Sequence, residues 1–384
     1  MSNRYTKNAR GLSLNVCDLA LPAKPLSSSI SLGNSVDMKG NLFSVIPSDG
    51  LYVYDVETLE QISFYPNIID IICLSGEEVI FLIDNDVYSY SSHTNKATLI
   101  SKNFSRGCYQ NNQNHNGTSF MIYTGAEVGD TSRRPQKFFM KVDKNNFSID
   151  WKVKAQSRTN TYILISEENN CFYTIDADTN IHCYKLENGE LNWQTDISDV
   201  VEPSGILEVH PALVVDLIVL VYKGLTLAIS TKDGSMVWQR EGATASWGLI
   251  STEHKVYQLE TSLSDSTRSI ITVDAISGEL LSSYPLFVKD GSGICNDLAF
   301  HNPLHWAITL THIFIGWSHG LLTAINPDTG EIEWYADLGG ENQDPIVSDI
   351  VISNNRLYCR TTSSGIENRV SKSWVFEGEG GFGA

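Results

Sequence analysis

Short hydrophobic runs separated by polar turns recur along the whole chain. The runs are rich in Val, Ile, Phe and Tyr, and Gly, Asn, Asp or Ser bounds them, as in LYVYDV, EVIFLID, KFFMKVD, CFYTID, LIVLVY, SIITVD and HIFIGW. Such runs are typical of β-strands. Helical periodicity sustained over about 11 residues or more is hard to find anywhere. The pattern therefore predicts an all-β protein.

A turn motif repeats between these runs: a small or acidic residue, a turn ending in Gly, and an aromatic residue four positions later. The full copies are KLENGELNW (185–193), STKDGSMVW (230–238) and NPDTGEIEW (326–334), while DKNNFSIDW (143–151) has Phe147 where Gly is expected. Weaker copies begin at residues 55, 91 and 274, the first of these with Phe64 one place late. The position of the turn Gly is occupied in order by Leu59, Asn95, Phe147, Gly189, Gly234, Gly278 and Gly330.

The spacing of the motif predicts a β-propeller. The motif recurs about every 45 residues, which is the length of a four-stranded blade. We expect the motif to form the turn between the third and the outermost strand, because Gly supplies the positive φ angle of a tight turn. The aromatic residue has the area to pack on the next blade. The predicted blade-docking residues are Trp151, Trp193, Trp238, Trp334, Gly189, Gly234, Gly278 and Gly330.

The ends of the chain predict how the ring closes. Three strand-like runs follow the last motif, PIVSDIVIS, RLYCRTT and SKSWVFE, and residues 11–21 offer a spare alternating run. Together they would form an eighth blade and remove free sheet edges. We therefore expect residues 1–378 to form one propeller domain, most simply of eight blades, with seven as the alternative. Seven motif-bearing blades would span about residues 28–340 and the last blade 345–378, with a flexible tail at 379–384.

The amino-acid composition limits the classes of partner that the protein is expected to bind. The 384 residues include 27 Lys and Arg against 45 Asp and Glu, a formal net charge of -18. This charge repels nucleic acid and anionic lipid, and it steers a basic protein towards the surface. Seven scattered Cys, no secretory leader and no transmembrane run predict a cytoplasmic location, and we expect a monomer.

The best copy of the motif, AINPDTGEIEW (324–334), resembles the Ala-x-Asp-x-x-Thr-Gly-x-x-x-Trp docking motif of PQQ-like β-propellers. This family includes quinoprotein alcohol dehydrogenases and BamB-like propellers. The resemblance implies a propeller fold across nearly the whole chain and a docking role for the motif residues. The chain has no adjacent Cys-Cys pair to sit against a quinone, and no calcium-binding set can be placed on matching positions. No cofactor, metal or catalytic residue is therefore predicted.

Two stretches depart from the repeat and are candidates for binding a partner. One is the polar segment around Asn111, Gln113, His115 and Asn116, and the other contains His301 and His305. The two histidines have the spacing of a helical metal pair, but Pro303 lies between them and the surroundings favour loop and strand. Insertions in propellers emerge as loops on one face, where partners bind.

These observations favour a non-enzymatic propeller that binds another protein. One specific version is an immunity protein that neutralises a toxin, because acidic inhibitors suit basic toxins. The alternatives are an enzyme with a site in the central channel, either a degenerate quinoprotein or a hydrolase, and a scaffold for multi-protein assembly. No G-x-S-x-G, G-x-x-x-x-G-K-[ST] or H-E-x-x-H motif occurs, although a catalytic set drawn from several blades stays open.

Overall fold

The described residues form β-sheets joined by turns. The computed structural model describes residues 19–26, 30–32, 35–39, 41–46, 49–68, 70–75, 78–83, 86–102, 120–126, 136–143, 145–156, 160–176, 179–201, 210–222, 225–242, 247–251, 254–262, 267–288, 303–339, 345–363 and 371–379. Within these ranges the structure is all-β and contains no helix. None of the described residues forms a helix long and apolar enough to span a membrane.

The first four sheets follow one another along the chain. Sheet 1 contains β2 (Ser35–Lys39), β3 (Asn41–Ile46), β4 (Gly50–Asp55) and β5 (Gln61–Pro66). Sheet 2 contains β6 (Asp70–Ser75), β7 (Glu78–Ile83), β8 (Asp86–Ser91) and β9 (Lys96–Ser101). Sheet 3 contains β10 (Phe120–Ala126), β11 (Lys137–Asp143) and β12 (Ile149–Lys154). Sheet 4 contains β13 (Asn160–Ser166), β14 (Cys171–Asp176), β15 (Asn180–Lys185) and β16 (Leu191–Asp196).

Four more sheets complete the described structure. Sheet 5 contains β17 (His210–Val214), β18 (Leu217–Tyr222), β19 (Leu225–Ser230) and β20 (Met236–Glu241). Sheet 6 contains β21 (Trp247–Ser251), β22 (Lys255–Thr261), β23 (Arg268–Asp274) and β24 (Leu280–Pro285). Sheet 7 contains β25 (Pro303–Ile308), β26 (Ile313–Trp317), β27 (Leu321–Ile325) and β28 (Ile332–Asp337). Sheet 8 contains β29 (Pro345–Ser353), β30 (Arg356–Ser363) and β31 (Ser371–Glu377) from the end of the chain, and β1 (Lys24–Leu26) from its beginning.

Hydrophobic clusters between neighbouring sheets form the core. Leu164 of sheet 4 and Ile218 of sheet 5 share one such cluster, and Leu42 of sheet 1 and Tyr358 of sheet 8 share another. The remaining clusters join the other successive sheets in the same way. Each sheet therefore buries both faces only against its neighbours, as blades of a propeller do. The predicted all-β propeller is confirmed; the blade number and the closure of the ring stay predictions, which these contacts support.

The strand that joins the two ends of the chain differs from the predicted one. β1 pairs antiparallel with β31, with Pro25 opposite Phe376, so among the described residues the N-terminal partner of the last sheet is Lys24–Leu26. Leu19 and Ala23 are buried against sheet 8, which places the residues that follow them beside β31. Pro25 is tolerated because β1 is the outermost strand of its sheet. Residues 11–18 lie outside the described residues.

Candidate protein-binding face

The four tryptophans of the motif each reach from the outermost strand of one sheet to the next sheet. Each indole N–H donates a hydrogen bond to a main-chain carbonyl in the turn before the next outermost strand. The bonds run from Trp151 to Leu186 (3.0 Å), from Trp193 to Thr231 (3.1 Å), from Trp238 to Ala275 (3.2 Å) and from Trp334 to Ala23 (3.0 Å). Every one of these joints therefore runs from one sheet to the next in the order of the sheets.

Glycine lies directly under three of the indole rings. Gly189, Gly234 and Gly278 have φ angles of 73°, 75° and 75°. A Cβ atom on them would lie 2.9, 2.7 and 2.6 Å from the ring of the preceding tryptophan. Both the left-handed backbone and the close ring therefore require glycine there. At Gly330 the same space is taken by Tyr284 Cβ (2.8 Å) and by the carbonyl oxygen of Pro285 (2.5 Å).

At two joints where the preceding sheet brings no tryptophan, a large side chain occupies the glycine position. Leu59 and Phe147 have φ angles of 61° and 59°, so the turn keeps its left-handed residue. Both side chains are buried, Phe147 in the cluster between sheets 2 and 3 and Leu59 in the cluster between sheets 8 and 1. The outermost strands of sheets 2 and 8 contain no tryptophan. The buried side chain therefore fills the joint from the other side.

Arg356 takes the place of a tryptophan between sheets 8 and 1. Its Nη1 donates to the carbonyls of Val56 (3.0 Å) and Glu57 (2.9 Å) in the turn of sheet 1. Val56 corresponds in that turn to Leu186 in sheet 4, so the guanidinium bonds the carbonyl that an indole bonds elsewhere. Glu377 holds the other side of the guanidinium at 2.9 Å. No sequence motif indicates this role, because Arg356 lies on the second strand of its sheet and not on the outermost one.

Tyrosines supply the joints that follow sheets 1 and 6. Tyr65 packs on Phe81 and Tyr90 of sheet 2, and its hydroxyl accepts a hydrogen bond from the Ala97 amide (3.2 Å). Phe64, which the sequence suggested for this position, is 38% exposed and contacts Tyr52 of its own sheet, so that suggestion is wrong. The docking role of the eight predicted residues means that they stabilise the contacts between sheets, and this role stays a prediction.

The motif turns lie on one side of the propeller. In an antiparallel four-stranded sheet the turn between the first and second strands lies at the same end as the turn between the third and fourth. The joints place these turns side by side from sheet to sheet, and we call this side the turn face. Its exposed acidic residues are Glu57, Glu60, Glu167, Glu168, Glu187, Glu190, Asp216, Asp233, Glu279 and Asp328. The exposed lysines on or next to the same turns are Lys24, Lys96, Lys232 and Lys255.

Some acidic residues of the turn face serve the turns themselves. Asp55 Oδ1 accepts the amides of Thr58 (2.8 Å) and Glu57 (2.9 Å), and Asp274 Oδ1 accepts those of Ser277 (2.8 Å) and Ile276 (3.0 Å). These amide bonds, led by the one from Thr58 and the one from Ser277, lower the pKa of the two carboxyl groups. Asp55 and Asp274 are therefore ionised and already bonded within their own turns.

The partner-binding residues predicted from sequence are mostly not described. Asn111, Gln113, His115, Asn116 and His301 lie outside the described residues. His305 lies in β25, opposite Gly316 of β26, and is half-buried. It lies within a strand of sheet 7 that begins at Pro303, in line with the loop and strand expected for this stretch.

Buried polar groups occur both within one sheet and between two sheets. His182 Nε2 lies 3.9 Å from Asp176 Oδ2, with both side chains almost fully buried, and Nδ1 of His182 has no hydrogen-bond partner. Burial lowers the pKa of His182, and the nearby Asp176 opposes this shift. Between sheets 5 and 6, Arg240 pairs with Glu260. In the described part of the chain no group of three or more His, Cys, Asp or Glu could hold a metal ion.

A hydroxyl–imidazole–carboxylate chain lies on the turn face of sheet 7. Thr311 Oγ1 is 2.8 Å from Nδ1 of His312, and Nε2 of His312 is 2.9 Å from Glu333 Oε2. Asn326 donates to the other oxygen of Glu333 at 2.9 Å. The carboxylate fixes the imidazole so that Nδ1 can accept the hydroxyl proton, which is the arrangement that a general base requires.

Comparison with known proteins agrees with the fold. The family model described as outer membrane protein assembly factor BamB matches residues 141–299. BamB from Moraxella catarrhalis superimposes with a TM-score of 0.60 at 14% identity, covering 92% of this chain and 99% of that one. Quinohemoprotein alcohol dehydrogenase from Pseudomonas putida HK5 gives 0.56 at 10% identity, covering 98% and 80%. No curated protein matches the chain by sequence.

The sheets, the turn motif and these likenesses together show a β-propeller fold similar to that of PQQ-like propellers. The resemblance seen in the motif is thereby confirmed. The solved structures include both BamB and quinoprotein dehydrogenases. At 10 to 14% identity these likenesses establish the fold and not the activity.

Proposed function

We propose that this propeller binds another protein and that the turn face is its binding surface. The observation that carries the proposal is the set of exposed carboxylates on the turns, far in excess of the lysines beside them. A surface of one sign steers a partner of the opposite sign and fixes its orientation. The partner is therefore a protein with a basic surface. The family model that matches the chain is described as an assembly factor, which is consistent with a binding role.

The proposal includes a non-enzymatic role in the cytoplasm. Its most specific form is an immunity protein that neutralises a basic toxin domain, and the net charge of -18 supports that form. A scaffold for several proteins is the neighbouring possibility and differs in requiring several partners at once. Stoichiometry of the captured complex separates the two, since neutralisation needs one toxin for each propeller.

Capture of a partner at low and high salt tests the proposal. The immobilised protein is exposed to native cytosol at low ionic strength, and a stoichiometric partner is expected to elute as salt is raised, because exposed charges are screened. Glu168→Lys with Glu187→Lys reverses two exposed charges of the turn face and should abolish capture. Asp49→Lys with Glu241→Lys makes the same charge change away from the turn face and should leave capture intact. Equal loss in both variants, or no stoichiometric partner at all, would contradict the proposal.

The Thr311, His312 and Glu333 chain favours a hydrolase as the second candidate. Hydrolysis of activated ester substrates by the purified protein is the measurement. The His312→Gln variant should lose the activity if this chain is the source, because Gln cannot accept the hydroxyl proton as imidazole does. Activity that His312→Gln retains would remove this candidate.

A further inference from the structure

A short segment of the chain adds itself to the outer edge of sheet 7. After β24 the residues Leu286 to Val288 run parallel to the start of β28. The Phe287 amide donates to the Gly330 carbonyl (3.2 Å), and the Ile332 amide donates to the Phe287 carbonyl (2.7 Å). The edge of an outermost strand can therefore take an extended segment in this protein.

Side chains of the segment cover the edge as well. Leu286 and Val288 belong to the same hydrophobic cluster as Ile332, which is 2% exposed. Phe287 between them is 41% exposed and contributes mainly its backbone. The segment thus has apolar residues at alternate positions, and the residue between them bonds the edge through its backbone amide and carbonyl.

The equivalent position is open on other sheets. Ile149, Leu191, Met236 and Leu280 begin the outermost strands of sheets 3 to 6 after the same turn, and each pairs at the same bulge as Ile332. Their exposed fractions are 49%, 38%, 42% and 44%, against 2% for Ile332. Because the register is shared, the backbone amide and carbonyl groups at the outer edges of these strands lie where those of Ile332 and Gly330 lie in sheet 7.

Sheet 5 shows why the position stays open. The residues that correspond to Leu286–Val288 there are 197–199, and they form a turn in which the amides of Val200 and Val201 both donate to the Ile197 carbonyl. The turn does not pair with Met236, and Val237 beside it is 49% exposed. The Gly234 carbonyl accepts the Thr195 hydroxyl (2.7 Å) and keeps a second lone pair.

We propose that the outer edge of sheet 5 at Met236 receives an extended segment of the partner protein. The segment has apolar residues at alternate positions and pairs parallel to β20, as Leu286–Val288 pairs with β28. Main-chain hydrogen bonds to the edge supply affinity, and the alternate side chains covering Met236 supply specificity. This inference rests on the proposed protein-binding function and names the part of the partner that is recognised.

A synthetic peptide copied from the chain is the probe. The labelled peptide Tyr-Pro-Leu-Phe-Val-Lys-Asp, residues 284–290, is titrated with the full-length protein and followed by fluorescence anisotropy. Met236→Lys should weaken binding about tenfold or more, the loss typical of a central contact. Leu310→Lys, at a 78% exposed leucine away from this edge, is the matched control and should bind as the wild type does. N-methylation of the Phe amide should weaken binding to the same degree, because it removes the edge hydrogen bond.

Three results would overturn the inference: no binding of the unmodified peptide at millimolar concentration, unchanged binding to Met236→Lys, or unchanged binding of the N-methylated peptide. The same variant separates the two proposals. If Met236→Lys still captures the partner from cytosol, the edge inference fails and the protein-binding function stands. If the peptide binds the Met236 edge and no partner is ever captured, the proposed function fails instead.

Discussion

At the scale of single residues, Trp334 shows what the motif tryptophan contributes. It is 9% exposed, packs edge-on against Phe376 with ring centroids 5.2 Å apart, and donates to Ala23. Trp334→Ala should lower the free energy of unfolding by about 3 to 5 kcal/mol, the range for a buried large aromatic residue. Urea denaturation measures the change. Trp334→Phe is the control and should cost much less, because it keeps most of the buried area. Full stability of Trp334→Ala would refute the docking role.

Gly189 and Trp151 are expected to be energetically coupled. A methyl group at Gly189 would meet the Trp151 ring at 2.9 Å and Val153 Cγ1 at 2.8 Å. Gly189→Ala should therefore destabilise the protein by about 2 to 4 kcal/mol, combining left-handed strain with overpacking. In the Trp151→Ala background the ring contact is gone, so the same substitution should cost less. A double-mutant cycle by urea denaturation measures this difference, and additive costs would contradict the joint.

His182 should make stability depend on pH. Burial lowers its pKa in the folded protein below the value of 6.5 of an unperturbed histidine. The unfolded chain then binds more protons than the folded one as pH falls below about 6.5, so the contribution of His182 becomes destabilising there and vanishes above about pH 7.5. Urea midpoints measured between pH 8 and 5 test this. His182→Gln should flatten that part of the profile, and an unchanged slope would show that another group titrates.

At the scale of strands and turns, the joint between sheets 8 and 1 differs in kind from the tryptophan joints. Arg356 is 7% exposed and ties the turn of sheet 1 to Glu377 of β31. Arg356→Met removes the hydrogen bonds to the Val56 and Glu57 carbonyls and the buried ion pair with Glu377, so we expect a loss of about 2 kcal/mol or more. Hydrogen exchange should then accelerate first in β1, β31 and the turn after β4.

Arg240→Met is the matched control for this joint. Arg240 also pairs with a glutamate between two sheets, but within the body of the chain. Its loss should speed exchange around β20 and β22 and leave the two ends of the chain protected. If both variants loosen the same strands, Arg356 has no special role in joining the ends.

The turns and strands could be predicted from the sequence where the residues that determine them are neighbours along the chain. All seven positions assigned to the turn glycine have positive φ, including Leu59, Asn95 and Phe147. The run PIVSDIVIS is β29 in full. The joining strand was missed because Lys24–Leu26 is short and contains a proline. Arg356 and Tyr65 were missed because their partners lie on another sheet, and residue spacing says nothing about which side chains meet across a gap.

At the scale of the whole molecule, the likeness to quinoprotein dehydrogenases sets up a direct test. The chain resembles them in fold and lacks the adjacent Cys-Cys pair in its sequence. Pyrroloquinoline quinone with calcium should therefore leave the thermal midpoint unchanged. A ligand present at about 100 times its dissociation constant would add about 2.7 kcal/mol of stability, which a melting curve detects readily. A clear upward shift would favour the enzyme alternative over the binding role.

The tryptophan joints also indicate where the number of sheets in such a propeller can change. Sheets 3 to 6 are linked by three joints of one design, an indole from one sheet over a glycine of the next. A sheet duplicated or deleted between them would meet a compatible neighbour on both sides. The joints that depend on Phe147 or Arg356 offer no such interchange, because each is completed by a side chain that the other sheets do not carry. Gain or loss of a repeat should therefore be tolerated among sheets 3 to 6. The same change at the joints that depend on Phe147 or Arg356 should destabilise the protein.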